Sequence, residues 1–226
     1  MIVAGARIIT RLAPPKELEA RARALAVLDA ILEPEWEYRY YSFNAKWDES
    51  LGQRLATMRN GSGDEWLIAF TPDGAFLKGF AHESPMAGAL QRAGGAAQFL
   101  VGLPEALGAF ATEPSFALEE TTFAAWWTGE GPWREAGVPF PVDLSDGADA
   151  DGAESMLAIL DGDPKTYVAY AREYFEEELE LAAVREIYAG RPLTPALVRR
   201  IGGEDRAIDD LAEDLAEIGW PRADVS

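Results

Sequence analysis

The sequence predicts an α+β fold: a central antiparallel sheet, a meander of about four to five strands, with an N-terminal helix and a C-terminal helical region. Three observations predict it. Residues 15–32 carry apolar side chains at helical spacing, residues 53–80 hold strand-like runs divided by two tight turns, and from residue 163 onward the apolar period is again helical. Strands grouped centrally and helices grouped at the ends argue against alternating βαβ units.

Pro14 and Pro15 stand where a helix begins, and Leu18, Ala22, Leu25, Leu28 and Leu32 then mark one helical face that Pro34 ends. Trp36, Tyr38 and Tyr40 alternate with Glu37, Arg39 and Tyr41, the two-residue period of a first strand. A polar turn follows over 44–50, then a strand over 53–59. Asn60-Gly61-Ser62-Gly63 supplies a hairpin loop, and the return strand over 65–70 contains Trp-Leu-Ile-Ala-Phe, a run expected to be buried on both faces. Thr71-Pro72-Asp73-Gly74 makes the second turn, into a strand over 75–80.

Residues 81–102 read as loop and short helix, 104–111 as a brief helix, 120–127 as the remaining strand, and 128–152, rich in Gly, Pro and Asp, as an exposed connection. Asp163-Pro164 and Thr194-Pro195 are cap-then-proline starts for helices, with another helix between them closing at Gly190. Ile208, Leu211, Leu215 and Ile218 mark a last helix before Gly219.

A chain of 226 residues, 48% apolar, can bury one substantial core, so the expectation is a single domain over 1–226 with candidate sub-regions 1–142 (sheet-containing) and 153–226 (helical). Cysteine is absent, which removes disulfides, thiolate metal sites and cysteine nucleophiles and fits a reducing compartment; the cytoplasm is the expected location. The first twelve residues lack the long apolar run of a signal peptide, and no stretch approaches the roughly 18 to 20 apolar residues of a membrane span.

The formal charge of −19 is uneven: 21 acidic and 8 basic residues from Asp143 onward give −13, against −6 before it. Such a field repels phosphate backbones and anionic lipid, so neither nucleic acid nor a membrane is expected as a partner, whereas a basic protein is compatible. The plain alternative is that acidity serves solubility. No cofactor is expected, and the oligomeric state is open, a homodimer included.

His82 is the sole histidine, which excludes a multi-histidine metal site within one chain. Asp64, Glu65, His82 and Glu83 are the candidate catalytic residues, because adjacent meander strands bring their ends together. Ser84 beside His82 lacks a nucleophile-elbow pattern, and a histidine holding a turn is the plainer reading. Asp143, Asp146, Asp149, Asp151 and Glu154 invite a cation reading, with Asp149 and Asp151 the candidate ligands. Placing Gly152 at the turn of an EF-hand loop leaves Gly147 and Ala158 at the first and last ligand places, so two essential ligands are missing. The 60–63 loop leads into a strand rather than a helix, so a hairpin explains it better than a phosphate cradle. Most aromatics belong to the core, with Trp126, Trp127 and Trp133 as candidate exposed anchors.

The segments Met58-Arg59-Asn60-Gly61-Ser62-Gly63-Asp64-Glu65 and Lys78-Gly79-Phe80-Ala81-His82-Glu83-Ser84-Pro85 resemble stretches of acidic bacterial proteins without an established role. In layout and charge the chain is also similar to the SUKH-like immunity proteins, which place a helix before an antiparallel sheet and protect bacteria from toxins. That resemblance implies an interaction module neutralising a basic toxin and carries over no functional residue. The alternative is a carboxylate-based or metal-assisted hydrolase with its site near His82.

Overall fold

Prolines, caps and left-handed glycines bound most elements. In chain order these are α1 (Ile8–Arg11), α2 (Pro15–Leu32), β1 (Tyr41–Asp48), β2 (Gln53–Arg59), β3 (Glu65–Thr71), β4 (Gly74–Phe80), α3 (Pro85–Leu90), β5 (Phe123–Trp127), β6 (Arg134–Glu135), α4 (Ala153–Leu157), α5 (Pro164–Tyr174), α6 (Leu181–Tyr188), α7 (Pro195–Gly202) and α8 (Ala212–Ile218). The structure, a computed structural model, describes residues 7–90, 95–139 and 149–223, the side chains of 88–90 excepted. Six strands lie in chain order across the sheet, β1-β2-β3-β4-β5-β6, so the fold is the expected α+β meander with helices before and after it. No described helix is long and apolar enough to cross a membrane.

Two helix starts follow the cap chemistry. The Asp163 side chain accepts from the Lys165 N–H and the Thr194 hydroxyl from the Leu197 N–H, each followed by proline at the first helical position, where its missing N–H costs nothing.

The chain packs as two compact units, each made from two stretches: residues 1–15 with 58–158, and residues 16–57 with 159–226. In the first unit β3 and β4 pair antiparallel with Trp66 opposite Gly79 and Leu67 opposite Lys78, and β4 pairs β5 with Gly79 opposite Phe123 and Phe76 opposite Trp126. Trp66–Phe70 is buried throughout, as a strand covered on both faces requires. One face carries Phe76, stacked on Phe110 at 5.4 Å and tilted against Phe116 at 5.3 Å. On the other, the tip of the Phe123 ring packs against Gly79, where a Cβ would stand 1.9 Å from its Cζ. Lys78 is fully buried, and its ammonium donates to Glu65 Oε1 at 2.6 Å.

In the second unit α2 is more deeply covered than a single apolar face implies: from Ala24 to Ile31 every side chain is buried, Asp29 included. Helix α8 packs on β1 and α5 on α6.

Two expectations need correction. Trp36–Tyr38 forms a 3-10 turn rather than a strand, and β1 runs from Tyr41 through Asp48, so residues 44–48 are strand and the turn is Glu49–Leu51. The Arg39 side chain explains the first change. It is buried and donates to the carbonyls of Glu33 (2.7 Å) and Pro34 (2.8 Å), which curls the preceding chain away from an extended path. The later turn is closed by Asp48, which accepts from the Leu51 N–H, and by Gly52 at φ 64. Residues 153–161, given no element by periodicity, form α4 and a following 3-10 turn.

Replacing Gly79 by Ala is expected to lower stability by about 3 kcal/mol, since the Phe123 ring must move within a packed sheet. Urea denaturation checks this, and a midpoint unchanged from wild type would contradict the packing described.

Candidate functional site

The hairpin between β2 and β3 brings three of the four candidate catalytic residues together. The Asp64 Oδ1 accepts from the His82 N–H at 2.9 Å and lies 2.7 Å from His82 Nδ1, while Asn60 Nδ2 donates to Asp64 Oδ2 at 2.8 Å. Partial burial would raise the Asp64 carboxyl, but the hydrogen bonds from His82 and Asn60 outweigh it and hold it below the usual value. Glu83 comes within 3.7 Å of His82 Nε2 on a highly exposed side chain. Glu65 is turned away, onto Lys78 and, at 3.7 Å, Arg59. The Ser84 hydroxyl accepts from the Ala87 N–H at the start of α3. The geometry is that of an imidazole pinned to a hairpin, with the Gly63 Cα side packed on the ring: a Cβ there would meet His82 Cγ at 3.2 Å.

The acidic loop resolves into helix capping and one ion-pair cluster; Asp143 and Asp146 lie outside the described residues. Asp149 accepts from the N–H groups of Glu154 (3.0 Å) and Ser155 (2.8 Å), capping α4. Asp151 accepts from the Ala153 N–H and pairs with Arg7 at 2.6 Å, and Arg7 also reaches Glu135 at 3.0 Å. Burial raises both the Asp151 and the Glu135 carboxyls despite the guanidinium between them. They border a recess with Met86, Phe99, Thr122 and Phe123 that has room for about one ordered water. Among the described residues no group of three or more His, Asp or Glu side chains could hold a metal ion.

The most heavily built polar site is one that periodicity did not single out. Asp29, fully buried in α2, accepts from the backbone N–H groups of Tyr40 and Tyr41 at 2.9 Å each and from the Tyr167 hydroxyl at 2.7 Å. Burial pushes its carboxyl up to about 7, and the three hydrogen bonds and the Arg39 charge only partly offset this. All seven tyrosines of the chain belong to this unit. Tyr170 lies 5.2 Å from Tyr41 and 5.4 Å from Tyr167, and Tyr40 lies 4.1 Å from Tyr174, so the rings continue outward from the buried carboxylate. A lone Asp inside Val27-Leu28-Asp29-Ala30-Ile31 was the available signal.

This cluster ends at an exposed aromatic edge. Trp36 and Tyr38 are 57% and 56% exposed and Tyr174 is 37% exposed, its hydroxyl donating to the Tyr38 carbonyl at 2.8 Å. Trp126 and Trp133, two candidate anchors from the sequence, are buried, and Trp127 is half-buried, its indole donating to the Gly131 carbonyl. Carboxylates flank the edge: the Tyr38 phenol is pushed above its ordinary value first by Glu37, with Glu35 and Glu33 adding to the effect. A shallow recess beside Trp36 is lined by Arg39, Tyr41, Ser42, Asp214 and Glu217. Arg39 holds Asp214 through two contacts, 2.6 and 3.1 Å, and Asn44 donates to Glu217 at 3.3 Å.

No protein-family model, curated protein or solved structure matches the chain.

An unfolded aspartate titrates near 4, so between about pH 4 and 7 the folded state keeps a proton on Asp29 that the unfolded state has lost. Its contribution to stability therefore falls as pH rises through that window and levels off above it. Asp29→Asn keeps an acceptor for the two N–H groups without the charge. The variant is expected to gain relative to wild type by on the order of 3 kcal/mol between pH 5 and pH 8, read as the difference in urea midpoints across that range. Asp29→Ala, which strands the donors, is expected to lose about 2 to 4 kcal/mol at low pH.

Proposed function

We propose that this chain is an interaction protein that captures a basic protein, in the manner of an immunity protein neutralising a basic toxin such as a nuclease. The observation that carries the reading is how the chain disposes of its own cations. Arg39, Lys78, Arg54 and Arg7 are spent on internal carboxylates, and Arg23 and Arg206 on the backbone carbonyls of Ile218, Gly219, Ala30 and Ile31. On the surface, Arg172 is tied to Glu178 and Arg200 to both Glu180 and Glu186. With 39 acidic residues against 20 basic ones, the unbalanced charge is carboxylate. A field of one sign steers an oppositely charged partner and rejects anionic ones.

The described carboxylates favour this over acid-base catalysis at His82. Asp64 is consumed in holding the imidazole to its hairpin and Glu65 in neutralising Lys78. Neither recess described above is lined by Asp64, Glu65, His82 or Glu83.

The purified chain, immobilised and exposed to native lysate of its source cells, is expected to retain one predominant basic protein that rebinds one-to-one when purified. Its association rate is expected to fall at least about tenfold between roughly 0.05 and 0.5 M salt. Retention of acidic and basic proteins alike, or an association rate indifferent to salt, would contradict the reading.

A further inference from the structure

We propose that the open rim formed by Trp36 and Glu217, over a shallow recess itself no larger than a water, is the docking site where an arginine side chain of that basic partner stacks, an assignment that rests on the interaction reading above. Trp36 is 57% exposed and lines the recess, and the turn that carries it is closed by hydrogen bonds. The Tyr38 N–H donates to the Glu35 carbonyl at 3.1 Å and the Arg39 N–H to the Trp36 carbonyl at 3.2 Å, while the Arg39 side chain is locked at both ends. An exposed aromatic on a hydrogen-bonded turn offers contact area of the kind interface anchors use.

Carboxylates of the lining supply the charge. Asp214 and Glu217 both line the recess with a single guanidinium, that of Arg39, already inside it. Arg39 engages both oxygens of Asp214, whereas Glu217, on an exposed side chain, is met by the neutral amide of Asn44. Glu33, Glu35 and Glu37 add three more carboxylates within four residues of Trp36. A flat indole beside an uncompensated carboxylate suits a planar cation that stacks on the ring and donates in a fork, which is a guanidinium; an ammonium matches the charge without the plane. The same carboxylates argue against an apolar occupant, which would bury them unpaired, and against a second copy of this chain, which would set −19 against −19.

The test titrates the full chain with deca-arginine and deca-lysine peptides by calorimetry at about 50 mM salt, beside Trp36→Ala/Glu217→Gln and the charge-matched control Glu204→Gln, whose side chain is highly exposed. Deca-arginine is expected to bind wild type more tightly than deca-lysine, by about threefold or more. The double variant is expected to weaken deca-arginine binding about tenfold, and the control less than about twofold. Circular dichroism establishes that the double variant is folded. Wild-type binding that survives unchanged in the double variant, or that weakens equally in the control, overturns the docking site and leaves the interaction reading standing. Equal affinity for the two peptides overturns arginine as the occupant. Failure of wild type to bind either peptide overturns the docking site, while the lysate capture decides the interaction reading.

Discussion

A carboxylate with no access to solvent sits where α2, the start of β1 and α5 meet, and the arrangement of the second unit depends on it. Asp29 accepts the N–H groups of Tyr40 and Tyr41, two donors that would otherwise be stranded at the mouth of the strand, and the Tyr167 hydroxyl from α5. Removing a buried acceptor costs the desolvation of every donor it served, so the three contacts stand or fall together. Asp29 also fixes where β1 begins. The chain upstream cannot continue the strand while its entry is tied to α2 and while Arg39 grips the carbonyls of Glu33 and Pro34. It turns outward instead, and that turn is what brings Trp36 and Tyr38 to the surface.

Much of this fold was legible in the sequence where local chemistry decides. Asn60-Gly61-Ser62-Gly63 forces a hairpin whatever surrounds it, and strand β2 spans Gln53–Arg59 as the flanking turns require. The caps at Asp163 and Thr194 work over three residues and are equally visible. Trp36–Tyr41 misled because alternation reports side chains, and here the path is decided by a guanidinium bonded to Asp214, 175 residues away. Asp29 was hidden for the converse reason: one carboxylate on an amphipathic helix reads as part of the solvated face, and only tertiary donors make burial tolerable. The two units, each assembled from separated stretches, are likewise contacts across the sequence rather than along it.

The candidate residues picked from the sequence each make a structural contact. Asp64 and His82 brace a hairpin, Glu65 neutralises a lysine buried in the sheet, and Asp149 and Asp151 cap α4 and hold Arg7. Each carboxylate used in this way leaves less chemistry for catalysis and explains why so acidic a chain tolerates charge inside it. Beside Trp36, the exposed Glu217 carboxylate shares a recess with an exposed ring.

We propose that a basic partner is read at this aromatic edge, and the indole resonances report on it directly. In a two-dimensional proton–nitrogen spectrum of the labelled chain, added deca-arginine is expected to shift the Trp36 indole most, with backbone shifts over 33–44 and 214–217. Largest shifts at the 58–65 hairpin around His82, or spread evenly over the acidic surface with Trp36 unmoved, would contradict it.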